Sequence, residues 1–302
     1  MRGTQPLEVR RGALGVPRTA ARGRLPLLLL LLCLLPFAIA CSGLLQNLGA
    51  RWVTRQITEV FALDEAQQEA THASVLRVIA AAPEVLEARI DLLVATVDRA
   101  LSKGLNDRTM LVIERQIDIL LDRAAAWIID EAAPILATLR NDQIDHADAQ
   151  LDERLSETRD ELAKPAEERT RDRQDKFIDA IEEWTGRLSQ AQEEAIRAYV
   201  AQMPDEAADR LRADERRLAD ITEGLRQHPG ARAVRDLLWN AWTKREDWGP
   251  NTRSPEARRA DGRKTLFFVY ELLDAKQRTH VSEHLHEVHQ KVRRLLGIAG
   301  DR

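Results

Sequence analysis

Apolar residues recur along this chain every three or four positions, and no stretch alternates convincingly with a period of two. Met110, Ile113, Ile117, Leu120, Leu121, Ala124 and Ile128 form one such series. That spacing puts side chains on one face of an α-helix. It predicts an all-α protein, a multi-helix bundle with long antiparallel helices. Helices are expected over Leu45–Val60, Asp64–Ala81 and Pro83–Lys103, with proline in the first turn of the third. A long fourth runs from Asp107 to about Leu139, with a kink at Pro134. Between Asn141 and Ala163 the stripe narrows to Ile144, Ala147, Leu151, Leu155 and Leu162. Pro165 opens another helix, which regains Phe177, Ile181, Trp184 and Leu188. Two narrow-striped helices meeting at a proline suggest a projecting, coiled-coil-like hairpin over residues 141–187, joining sub-bundles 41–140 and 188–302. Helices over Ser189–Met203, Asp205–Gln227 and Gly230–Thr243 follow, then a loop at Lys244–Ser254 marked by Gly249-Pro250-Asn251. Gly262–Leu272 and Asp274–Leu296 are the expected C-terminal helices.

The amino-terminal end breaks the pattern. Residues 1–24 carry six arginines against one acid, Glu8, and Leu25–Ala40 has no charge. A membrane-spanning helix needs roughly 20 apolar residues, and this run is shorter and holds Pro26 and Pro36. A basic segment, a short apolar segment and small residues describe an export signal. Ala38-Ile39-Ala40-Cys41 resembles the lipobox of bacterial lipoproteins, although Leu at the first position and Ala or Ser at the second is the usual pattern. The resemblance implies cleavage after Ala40 and lipidation of Cys41; plain signal cleavage and an uncleaved anchor are the alternatives. Cys33 lies inside the segment that would be removed, so the mature chain holds Cys41 alone and no internal disulfide. In Gram-negative lipoproteins an aspartate after the cysteine favours retention in the inner membrane; Ser42 stands there, so the resemblance implies the outer membrane and its periplasmic face.

Composition narrows the partners. The net charge is −4 over 302 residues; removing the five net positive charges of residues 1–40 takes the rest to −9. A nucleic-acid partner is not expected of such a surface. Charged residues make up 31% and aromatics 4%, a profile of long solvated helices.

Three segments share a signature: Leu63-Asp64-Glu65-Ala66-Gln67, Leu188-Ser189-Gln190-Ala191-Gln192 and Leu273-Asp274-Ala275-Lys276-Gln277. Asp or Ser caps a helix, and Gln at its third position reaches back to the cap. Asp64, Gln67, Ser189, Gln192, Asp274 and Gln277 are therefore read as helix starts. With Lys164-Pro165-Ala166-Glu167-Glu168-Arg169, the run Glu183–Gln192 also resembles a family of Gram-negative lipoproteins known only as a domain of unknown function. In that family a Phe-x-Leu-x-x-x-Gln segment follows the lipobox, matched here by Phe61, Leu63 and Gln67. The resemblance supplies no catalytic residues. The Leu-Ser/Thr-x-x-Gln element is also similar to one in small helical periplasmic chaperones of the envelope stress response, which are much shorter.

Candidate chemistry is sparse. His280-Val281-Ser282-Glu283-His284 matches H-x-x-E-H, and its His280, Glu283 and His284 fall on one helical face that can hold a metal. A zinc enzyme needs a third protein ligand, and only 18 residues follow His284. Trp239 and Trp242 end one helix and read as core; Trp248, with Trp242 and Arg245 nearby, is a candidate surface for a peptide, glycan or lipid headgroup. No phosphate loop, nucleophile elbow or CxxC occurs. The sequence thus predicts a lipid-anchored, non-enzymatic protein without a cofactor. It contacts the membrane through its lipid and binds envelope proteins in a chaperone-like way. A structural spacer, or a metal-binding protein or metalloenzyme, is the alternative. The oligomeric state is not encoded in any of these features.

Overall fold

A computed structural model describes residues 43–296, which form ten α-helices; among these residues there is no β-strand. In chain order they are α1 (Gly43–Phe61), α2 (Glu65–Lys103), α3 (Asp107–Leu136), α4 (Asn141–Ala163), α5 (Ala166–Thr185), α6 (Gln190–Gln202), α7 (Ala207–Arg226), α8 (Ala231–Thr243), α9 (Pro255–Leu272) and α10 (Ala275–Leu295). The all-helical class read from the periodicity is what the chain adopts. Cys41 and the segment before it lie outside the described residues.

Three expectations are corrected. First, Asp64–Lys103 is not interrupted: α2 is one helix of 39 residues with Pro83 inside it. Proline removes one backbone donor, but Val75, Val78 and Ala82 before it and Val94 after it are all buried, and packing carries the helix through. Secondly, α9 begins at Pro255, before Gly262. Ser254 caps it by accepting from the Ala257 N–H, and Pro255 sits in its first turn. Thirdly, α4 and α5 do not pair over 141–187. α4 lies against α7 and α1, whereas α5 lies against α6 and α10. Leu155 of α4 packs with Leu211 and Leu218 of α7, and Arg159 bonds Glu215 at 2.9 Å. The narrow stripes are narrow because each helix meets only a few neighbours, not because they zip together.

The main core joins the first part of the chain to α7 and α8. Leu63, Ala125, Ile129, Leu139, Ile144, Leu225, Val234 and Trp242 are buried together there. A second core holds Ile178, Ile181, Leu188, Ile196, Val200 and Leu273, from α5, α6 and the start of the last helix. α9 links the second core to a further cluster between α2 and α3. Its Phe267 packs with Ala100, Met110 and Ile113, and its Phe268 packs against the second core. α10 then lies on α2 through polar contacts: Ser282 to Asp98 at 2.5 Å, His289 to Asp91 at 2.6 Å and Arg293 to Glu87 at 3.1 Å.

Candidate functional site

The repeated Leu-x-x-x-Gln signature builds the most ordered polar feature of the molecule. Asp64, Ser189 and Asp274 each accept from the backbone N–H of the glutamine three residues on, and that glutamine's Oε1 accepts from the cap residue's own N–H. These are the capping boxes expected of the sequence. A fourth copy escaped the sequence reading: Leu139-Arg140-Asn141-Asp142-Gln143. Arginine has no side-chain acceptor. Here the Arg140 carbonyl takes the Gln143 N–H at 3.1 Å, and Gln143 Oε1 accepts from the Arg140 N–H at 3.0 Å. A search for Leu and Gln four apart, without demanding Asp or Ser between them, finds it.

The four copies join in pairs. Gln67 and Gln143 exchange amide hydrogen bonds at 3.2 and 2.6 Å. Each also donates to the carbonyl just before the other's leucine: Gln67 to Thr138 at 3.1 Å and Gln143 to Ala62 at 3.0 Å. Gln192 and Gln277 repeat the arrangement, exchanging bonds at 2.8 and 3.2 Å and donating to the Leu272 and Arg187 carbonyls at 2.8 and 3.2 Å. Leu63 and Leu139 are buried in the first core, Leu188 and Leu273 in the second. Two interlocked pairs of helix starts, each a clasp with two-fold character, thus nail the two cores. Across the first clasp Arg140 reaches Asp64 at 3.0 Å. The Gln67 backbone N–H, and after it Arg140, hold the Asp64 carboxyl below its ordinary value. The motif glutamines are fully engaged in internal bonds and present no free amide to a ligand.

The tryptophan region divides. Trp242 is 2% exposed, and its Nε1 donates to Asp122 Oδ1 at 2.8 Å. Arg245 stacks over its ring at 4.1 Å and faces Asp122 at 3.4 Å. Trp242 thus lies in the core as expected, whereas Trp239, also read as core, is 37% exposed. Trp248 is half-buried, flanked by the guanidinium groups of Arg258 at 3.8 Å and Arg210 at 5.2 Å, and its carbonyl accepts from Arg216 at 2.5 Å. Arg259 binds Glu246 and Asp118 together, at 2.8 and 2.7 Å. Burial pushes the Glu246 carboxyl up, but Arg259 and the neighbouring arginines outweigh it and hold the group low. Arginines of α7 and α9 thus pin the 244–254 loop.

The histidines of α10 pair separately: His286 faces Asp98 at 3.4 Å and His289 faces Asp91 at 2.6 Å. His284 sits edge-on to Trp184 at 4.9 Å, its ring 6.4 Å from that of His280, while Glu283 points to solvent. Among the described residues no group of three or more His, Cys, Asp or Glu is placed to hold a metal ion. Of the expected ligands, His280 and His284 share one face of α10, which packs on α5 and α2, and Glu287 lies 3.8 Å from His284 Nδ1.

Charged and apolar side chains also meet on a concave surface. Between α4 and α7 lies a groove of about 620 Å³. Leu155 and Leu218 form its floor, with Ala149 and Ala219, and Asp145, Asp148, Asp152, Glu215 and Glu223 line it beside Arg159 and Arg226. Arg226 ties Asp145 and Asp148 to α7 at 3.0 and 3.2 Å. No helix among the described residues is long and apolar enough to cross a membrane.

An all-helical chain closed by two glutamine clasps, with a charged groove between α4 and α7, is the class of protein that fold and site define. Residues 85–253 match a family described as a family of unknown function, DUF6279, and the chain belongs to it. The matched span takes in the segments 164–169 and 183–192 that carried the family resemblance and stops short of Phe61, Leu63 and Gln67. No curated protein and no solved structure matches the chain.

Proposed function

We propose that this is a lipid-anchored protein of the outer membrane, facing the periplasm, which works without catalysis as a binding module for envelope polypeptides. The lipobox-like Ala38–Cys41 and the following Ser42 support the address. The groove between α4 and α7 carries the binding reading. An apolar floor under carboxylates that outnumber guanidinium groups suits a polypeptide segment with both apolar and basic side chains. The first clasp locks the start of α4, one wall of that groove, which lowers the ordering cost of binding.

The test uses residues 42–302, which contain every described helix. This protein slows aggregation of a denatured outer-membrane protein when added in stoichiometric amount. Ala149→Trp and Ala219→Trp fill the groove from exposed positions and abolish the protection while leaving the melting temperature in place. No protection by the parent protein, or full protection by both variants, overturns the reading.

A further inference from the structure

We propose that the outer stripe of α1, formed by Leu48, Arg51, Trp52 and Arg55, lies in the headgroup interface of an anionic phospholipid bilayer. The inference deepens the anchored reading above and rests on it for the orientation of the chain.

The stripe is defined by what the other face does. Ala50, Val53 and Thr54 are buried, and Ile57 packs with them against α2, so that side of the helix is spent on the fold. Positions 48, 51, 52 and 55 fall three and four apart on the opposite side, and all four are exposed. Leu48 is 53% exposed and Trp52 43%. Single exposed apolar residues are ordinary on a protein surface. These two are set apart by company and position. They adjoin two arginines, and no carboxylate occurs from Gly43 to Thr58, in a chain whose net charge is negative. The first acid, Glu59, pairs with Arg55 at 2.7 Å at the far end of the stripe.

Position supplies the partner. α1 starts at Gly43, two residues after Cys41 and three after the apolar run Leu25–Ala40 ends. Lipidation at Cys41 and retention of the apolar run have the same consequence: the first turns of α1 are held at a bilayer surface. Tryptophan and leucine beside arginines are the residues that suit that boundary, ring and methyls toward the acyl region and guanidinium groups toward phosphate. A juxtamembrane basic pair adds attraction to anionic lipid that fades with salt. The stripe then serves as a second membrane contact beside the tether and fixes which side of the bundle faces away.

The experiment takes the full chain in vesicles of phosphatidylglycerol and phosphatidylcholine whose acyl chains carry bromine, a short-range quencher of tryptophan emission. The parent is quenched. Trp52→Phe loses most of that quenching, whereas Trp248→Phe, whose ring lies between Arg210 and Arg258, keeps it. Arg51→Glu with Arg55→Glu lowers the quenching in anionic vesicles and leaves it unchanged in purely zwitterionic ones. Quenching as strong in Trp52→Phe as in the parent overturns the proposal. Flotation of the same samples reads the tether separately. A chain that floats with Trp52 unquenched refutes the stripe alone. A chain that does not float refutes the tether, and quenching on mixing it with vesicles still decides the stripe.

Discussion

Replacing Gln143 by leucine removes half of the first clasp with little change of volume. Gln143 is the most enclosed of the motif glutamines, at 1% exposure. The variant strips the Ala62 carbonyl of its donor and the Arg140 N–H of its acceptor, and it takes from Gln67 two of its amide contacts. A buried polar group left without a partner costs about 1–3 kcal/mol. Ala62 and Arg140 belong to exposed residues at the edge of the clasp, so water recovers part of the loss. Taking the low end, about 1 kcal/mol for each, and about the same for the weakened Gln67, gives roughly 3 kcal/mol. For a chain of this size that is a fall in melting temperature of about 9 °C. Thermal unfolding of residues 42–302, followed by far-ultraviolet circular dichroism, measures it. The cycle with Gln67→Leu sharpens the test. Because each amide is the other's partner, the double variant loses less than the sum of the singles, by about 1 kcal/mol or more. A melting temperature within about 2 °C of the parent, or strictly additive losses, refutes the clasp as a load on the fold.

Trp242→Phe keeps the ring in the core and deletes the bond to Asp122; it costs about 1.5 kcal/mol by the same melting assay, and an unchanged melting temperature contradicts the structural role given to that indole. Glu131 is held below its ordinary value first by Arg77, against burial and with help from the Ser74 hydroxyl. A carboxyl lowered in the folded state stabilises above the unfolded value near pH 4 and loses that contribution as pH falls through the lowered one. Glu131→Gln therefore melts lower than the parent at neutral pH, and the gap closes on acidification below about pH 4; a gap independent of pH contradicts the pairing. Zinc measured in protein purified without a tag is well below one ion per chain, and stoichiometric, tightly held zinc revives metal chemistry at His280 and His284.

Local signals in the sequence carried a long way. The spacing of Met110 to Ile128 reported helix α3, and Gly249-Pro250-Asn251 marked a loop that runs over the predicted residues. Asp64, Ser189 and Asp274 announced three helix starts because their side chains accept from nearby backbone, a contact that needs no knowledge of the rest of the fold. What failed were inferences in which a local preference met a tertiary contact. Pro83 disfavours helix on its own, yet burial on both sides of it overrides that preference. Gly262 looked like a beginning only because the cap at Ser254 and Pro255 was assigned to the loop. The pairing of α4 with α7 is invisible in periodicity, since it rests on residues about 60 to 80 positions apart, such as Arg159 with Glu215 and Arg226 with Asp145. The clasps were half legible. Three glutamines were identified as caps, but their mutual bonds span 76 and 85 residues, and the fourth hid behind Arg140. The groove was not foreseen at all, because its walls come from two helices that nothing local brings together.

The proposed role requires lipid on Cys41 and a helical bundle outside the cytoplasm. Intact mass of the protein extracted by detergent from the membrane fraction tests this most directly. The predicted species begins at Cys41 and carries acyl chains on that residue. A chain that still includes residues 1–40, or one that begins near Cys41 with an unmodified thiol, contradicts it.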